Sequence, residues 1–208
     1  MDVELGVGVG AETPVEVGQR LGGHPRDLGR AEPVGARAVD VHGHVGGQGL
    51  RYLEVAGRER KLAHQWWYGL VGNDIYRQPW LDEALAQYSG IVYAEDVAGA
   101  GVAAADWERE VLRRYRGALS DGDLPAGLGI ADYPNFNVYY RTVYGKGAVF
   151  LHTLRAQLGD DVFFGALRLY YQRRRYQVGT TQDMLDAFEA ASRQDLKPLF
   201  QQWLGAFS

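Results

Sequence analysis

Cysteine is missing from this 208-residue chain. Disulfides and thiolate metal sites are therefore excluded, and the redox compartment is left open. Long apolar runs are missing too: none approaches the roughly 20 residues that a membrane span needs. At the N-terminus no basic region precedes an apolar stretch, so no signal peptide is read there. Positive charge is not in excess either. The formal net charge is −4 and the pI about 5.7, which argues against nucleic acid and anionic membrane surfaces as main partners. Neither an oligomeric state nor a compartment follows from the residues.

Other absences are local. Residues 1–60 contain no Lys, Ile, Asn, Ser, Phe or Trp and a single aromatic residue, Tyr52, yet hold 13 of the 28 glycines. Residues 61–208 hold the other 24 aromatics. The composition thus divides the chain into a Gly-rich segment, 1–60, and a second part, 61–208, with the apolar content for a sizeable core. The first part has no sustained helical period and no clean alternation. Glycine and proline recur too often for long elements, and "RYLEVAG" at 51–57 is its one plausible strand. Two readings fit the segment: a flexible, β-poor leader, or the product of a GC-rich gene translated in a wrong frame.

The second part reads as mainly α. "KLAHQWWYGLVG" predicts a helix ending near Gly69 or Gly72. Pro79 suits the first turn of the next helix, "WLDEALAQYSGIVYAEDV". Asp106 is placed to cap "WEREVLRRYRGAL", and residues 119–138 read as a long irregular loop. A helix follows through "YRTVYGKGAVFLHTLRAQLG", stopped by Gly159, with Asp160 as the cap of the next. Thr180 with Asp183 three residues on has the form of a capping box. Pro198 fits only the first turn of the last helix.

Three residues stand at telling distances. His64 is followed 19 positions later by Glu83, and 80 positions later by Tyr144 in "TVYGKGA". Zinc accepts imidazole nitrogen and carboxylate oxygen, and a catalytic site keeps one position open for water. Histidine and glutamate from adjacent helices would supply two of three ligands. A nearby tyrosine hydroxyl would steady an oxyanion.

These residues and their flanks, "AHQWWYGLVGNDIYRQPWLDEALAQY", "VYGKGAVFLHTL" and "TTQDMLDAFEAASRQDLKPLFQQWL", resemble the M1 aminopeptidases, zinc enzymes of the gluzincin type. The signature of that family is H-E-x-x-H, 18 residues, then Glu; residues 65–82 match the interval. The resemblance covers about residues 62–208 and implies the helical lobe of a thermolysin-like peptidase domain. It assigns His64 and Glu83 to zinc-ligand positions and Tyr144 to the transition-state stabiliser. A peptide is the implied substrate of intact relatives.

The chain departs from the pattern twice. Positions 60 and 61, where the first ligand and the general base belong, hold Arg60 and Lys61. Residues four apart on a helix lie about 40° from each other, so Arg60 takes the ligand's place. Its guanidinium stays protonated and cannot ligate, and Lys61 cannot act as the carboxylate base. Glu59, five residues from His64, points roughly 140° away. His42 and His44 have no spacing that supports a role. Secondly, residues 1–60 lack the Gly-x-Met-Glu-Asn strand that binds the substrate amine in the family. Both departures stop where the composition changes, which one reading-frame shift before the codon for Leu62 would explain.

The sequence therefore predicts a partial zinc metallopeptidase that is inactive as written, holding zinc weakly or not at all. The alternative is a non-catalytic helical interaction module derived from the same fold. Nothing favours a third reading, an epoxide-hydrolase-like relative. Trp66 and Trp67 are expected in the core and pocket wall, Lys146 in a structural role, and His152 packed or facing solvent. The run Arg173, Arg174, Arg175 is expected to complement a helix dipole.

Overall fold

The computed structural model describes residues 60–207. The expected strand at 51–57, Glu59, His42 and His44 lie outside the described residues. Residues 60–63 form a helical turn. Strand β1 is Val71–Gly72, and helix α1 is Trp80–Ala98. Helix α2, Ala100–Asp106, runs through a π-helical turn, Trp107–Leu112, into α3, Arg113–Ser120. After a 3-10 turn at Ile130–Asp132, α4 (Phe136–Tyr140) continues through a second π-helical turn, Arg141–Lys146, into α5 (Gly147–Leu158). Helix α6 (Asp160–Arg174), strand β2 (Gln177–Val178), α7 (Thr181–Ser192) and α8 (Lys197–Leu204) complete the unit. The architecture is mainly α, as the sequence predicts. The two strands pair in parallel, Val71 beside Gln177 and Gly72 beside Val178.

Several helix signals act where expected. Gly159 ends α5 with φ of 78°, a left-handed value that costs glycine little. Thr180 and Asp183 form the reciprocal capping box of α7. Pro198 lies in the first turn of α8. Two predicted caps are not caps. Asp106 lies inside a continuous helix and pairs with Arg109 instead. Asp160 is the first residue of α6, and its carboxylate receives Arg155 at 2.7 Å. In both cases an arginine three or five residues away takes the carboxylate as its ion-pair partner.

The largest correction concerns 61–72. The helix does not extend to Gly69. The chain makes tight turns after residue 63, with Gly69 N bonded to His64 O at 3.0 Å and Val71 N to Trp66 O at 2.8 Å. Tyr68 takes φ of 94°. Tertiary contacts override helix propensity here. Trp67 stacks on Tyr170 of α6, with centroids 6.3 Å apart, and donates to Ser89 Oγ of α1 at 3.0 Å. The β1–β2 pairing then fixes the exit, Gly179 N to Gly72 O at 2.7 Å.

Helix α1 runs through the centre. Every residue from Trp80 to Tyr88 is buried except Glu83, the pattern of a helix covered on all sides. Around it an aromatic core packs edge to face: Trp80 with Phe150 at 5.8 Å, Phe150 with Phe200 at 5.0 Å, and Phe163 with Phe188 at 5.6 Å. Each such pair contributes about 0.5–1.5 kcal/mol beyond its buried area. Polar atoms at the start of α1 are matched to the start of α7. Trp80 Nε1 donates to Thr181 Oγ1 at 2.9 Å, and Thr181 N donates to Gln78 Oε1 at 2.8 Å. These bonds join segments about a hundred residues apart and fix where α1 begins.

Candidate functional site

Glu83 faces out of the first turn of α1 because its neighbours are committed elsewhere. Trp80 and Ala84 point into the core. Asp82 is buried and held by Asn73, whose Nδ2 donates to Asp82 Oδ1 at 3.1 Å and to Gln78 O at 3.0 Å. The helix N-terminus favours both carboxylates. His64 arrives at the exit of the helical turn 60–63. Its Nε2 lies 3.2 Å from Glu83 Oε2 and its Nδ1 3.8 Å from Asp82 Oδ2. The structure thus brings His64 and Glu83 together from two elements, as their spacing predicts.

Tyr144 comes from the π-helical turn before α5. Two glycines allow that turn to sit so deep. A Cβ at Gly145 would lie 2.6 Å from Tyr115 N, and one at Gly147 would lie 2.7 Å from Ala84 Cβ. The "YGKG" pattern therefore encodes close approach to α3 and α1. Lys146 is buried beside it and fully engaged, donating to Asp123 Oδ1 at 2.7 Å and to the carbonyls of Asp123 and Leu124 at 3.1 Å each. Its role is structural. The Tyr144 ring packs against Tyr140 at 4.8 Å and Tyr139 at 6.2 Å. Helix α4 carries both and starts at Phe136 because Asn135 Oδ1 accepts from Asn137 N and Val138 N at 3.0 and 3.1 Å.

The charges reinforce one another. Hydrogen bonding to Glu83 raises the His64 pKa against the opposing effect of burial. Burial alone would raise Glu83, but hydrogen bonding from His64 and Tyr144, with Arg60 nearby, holds it below its ordinary value. Burial, then the Glu83 charge, pushes Asp82 up to about 6. Burial and the Glu83 carboxylate raise the Tyr144 hydroxyl, so it remains a proton donor.

Arg60 completes the site. It lies one helical turn before His64, joined by the bond from His64 N to Arg60 O at 3.2 Å. Its guanidinium carbon is 5.1 Å from the centroid of the Tyr144 ring. Lys61 is exposed. Two donors on one tetrahedral zinc, each about 2.0–2.1 Å from the ion, would sit about 3.3 Å apart; His64 and Glu83 meet that spacing. At position 60, where the resemblance puts the first ligand, stands Arg60. Among the described residues, no three His, Cys, Asp or Glu side chains converge to hold a metal ion. Two positions fit zinc, and the full donor set does not.

Sequence reasoning missed Asp82 and the wall formed by Tyr139 and Tyr140. The available signals were the doublet "DE" at the start of a buried helix and the run "NFNVYY". The other candidates lie elsewhere. His152 packs on Trp107 with centroids 4.7 Å apart, and its Nδ1 is 3.2 Å from the Tyr88 hydroxyl. Burial lowers its pKa to about 4. Trp67 packs against the core, whereas Trp66 is half-buried. Arg173 and Arg174 occupy the last turn of α6, and Arg174 also pairs with Asp183. No helix among the described residues is long and apolar enough to cross a membrane.

This helical fold is that of metallopeptidases. An M1 zinc metallopeptidase variant of Deinococcus radiodurans bound to the tripeptide Tyr-Ser-Ala superposes with a TM-score of 0.57 at 24% identity, over 74% of this chain and 33% of that one. The model of the Peptidase family M1 domain matches residues 59–203, and the chain belongs to that family. Aminopeptidase N of Streptomyces lividans is 28% identical over 153 residues, and that of Escherichia coli K12 is 26% identical over 161. Those alignments cover 69% and 73% of this chain but only 17% and 18% of the relatives. The chain thus spans under a fifth of the length of these relatives.

Proposed function

We propose that residues 61–208 are a partial M1 peptidase catalytic domain in which His64 and Glu83 keep two zinc-ligand positions and Tyr144 keeps the oxyanion-stabilising position, but which does not hydrolyse peptides as written. Residues 1–60 differ from that domain in composition. The observation that carries the reading is Arg60 lying over Tyr144, at the corner where the resemblance puts the first ligand. In intact relatives zinc supplies an activated water that attacks the peptide carbonyl. Here His64 and Glu83 bond directly to each other, and no carboxylate stands at position 61 to take the water's proton. The Tyr144 hydroxyl still donates into the site but has no activated water to serve.

The test is zinc content and hydrolysis of amino-acid anilides by the purified full chain. The expected result is well below one zinc per chain and no turnover above buffer. One firmly held zinc with anilide cleavage would overturn the proposal. Arg60→His combined with Lys61→Glu should raise zinc affinity at least about tenfold, or 1.4 kcal/mol, because it restores both the missing ligand and the base. The DNA upstream of codon 62 offers a second check: a His-Glu pair in another frame would assign the 1–60 segment to a frame shift.

The reading as a non-catalytic helical module draws on one further observation. The core around Trp80, Phe150 and Phe200 is fully buried and extends into the site through Tyr139 and Tyr144. That module would predict residues 1–60 to be protected from proteases by packing on the helices.

A further inference from the structure

We infer that the site is a guanidinium site filled by the chain's own Arg60, with the side chain standing where the resemblance puts the first metal ligand. This rests on the reading that the chain holds no zinc there.

The position comes first. The helical bond from His64 N to Arg60 O sets Arg60 on the same face as His64. Its guanidinium carbon lies 5.1 Å from the Tyr144 centroid, inside the roughly 6 Å range of cation–π attraction. The ring cannot swing away. It is held by Tyr140 at 4.8 Å and Tyr139 at 6.2 Å, and Gly145 locks its backbone against α3.

The charge balance comes next. Asp82 and Glu83 are adjacent carboxylates on the first turn of α1, one buried and one half-buried. Their mutual repulsion would be costly without positive charge nearby. His64 faces both, at 3.8 and 3.2 Å, and the positive charge of Arg60 acts on Glu83 and Tyr144 alike. Lys61 is exposed. Among the described residues that face Tyr144 and Glu83, Arg60 is thus the permanent cation.

The shape completes the argument. A flat, delocalised, weakly hydrated cation suits an aromatic face, whereas an ammonium is compact and strongly hydrated. The ligand class is therefore a planar monocation, and removing Arg60 should leave a place for a free one.

The experiment is a double-mutant cycle on the full chain. Arg60→Ala should lower the thermal midpoint by about 2–4 °C, the shift expected when a cation–π contact of ordinary strength is lost. Methylguanidinium at millimolar concentration should recover most of that loss, and sodium chloride at equal concentration should not. Arg60→Lys should recover less than half. In a Tyr144→Leu background, Arg60→Ala should cost much less than in the parent. An equal cost in both backgrounds, or no difference between methylguanidinium and sodium chloride, would overturn the inference. If Arg60→Ala does not fold, Arg60→Gln carries the same cycle with the stem retained. Zinc content is measured on the same preparations. One zinc per parent chain sinks the proposed function, whereas additive losses in a zinc-free chain sink only the guanidinium site.

Discussion

Within four residues of α1 the molecule presents two neighbourhoods. Trp80 is fully buried, its indole N–H answered by Thr181 and its ring by Phe150. Glu83 is the one residue between Trp80 and Tyr88 that is not buried, and its partners are an imidazole, a phenol and the charge of Arg60. The first neighbourhood is held by burial. The second is held by charges that would repel one another if any positive member were lost. On this one helix, burial is carried by Trp80 and its neighbours, and the charged contacts are carried by Glu83.

Trp80→Ala should break the comparison most. Large-to-small changes of buried aromatics cost about 3–5 kcal/mol, and this one also takes the Trp80 donor from Thr181 Oγ1. Urea unfolding monitored by circular dichroism would read it, and a loss below 1 kcal/mol would mean the core is not centred there. Gly145→Ala comes next. Its Cβ would meet the Tyr115 amide and the Arg114 backbone within 3 Å. The expected cost is about 1–3 kcal/mol, accompanied by a change in near-ultraviolet signal as the Tyr144 cluster moves.

His152 allows a comparison through pH. Its folded pKa is about 4, against about 6.5 unfolded. As pH falls below 6.5 the unfolded chain gains a proton that the folded chain refuses, so stability falls. Between pH 7.5 and 5 this amounts to about 2 kcal/mol. His152→Asn keeps a hydrogen-bonding partner for Tyr88 and should be less pH-sensitive than the parent by that amount. Asp82 acts in the opposite direction, but it is common to both proteins and cancels. Identical pH profiles would show that His152 titrates normally. The smallest effect belongs to Lys61→Ala. Lys61 is exposed, so stability should change by less than about 0.5 kcal/mol. A larger loss would place Lys61 in the charge network.

Much of the fold was legible because its signals are local. The Thr180–Asp183 box, Gly159 and Pro198 each act through atoms within a few residues, and each stands where expected. Asp106 and Asp160 misled through equally local contacts: each carboxylate pairs with an arginine a few residues away and caps no helix. The segment 64–72 misled because its conformation is set by Tyr170, Ser89 and Val178, residues from 22 to 106 positions away from those they contact. Of the site, the His64–Glu83 pair was visible as an interval and Tyr144 as part of a motif. Asp82 was harder to read, because the doublet "DE" does not say which carboxylate is buried until the fold covers Asp82 and leaves Glu83 facing the site.

The sequence by itself determined that two ligand-type residues and a tyrosine recur at a peptidase's spacing, and that Arg60 and Lys61 interrupt that pattern. Residue type decides this, since no fold turns a guanidinium into a metal ligand. Only the tertiary structure decided what Arg60 does instead. Tyr144 lies 84 residues along the chain from it, and only the packing of the π-helical turn against α1 and α3, through Gly145 and Gly147, brings that ring beneath the guanidinium.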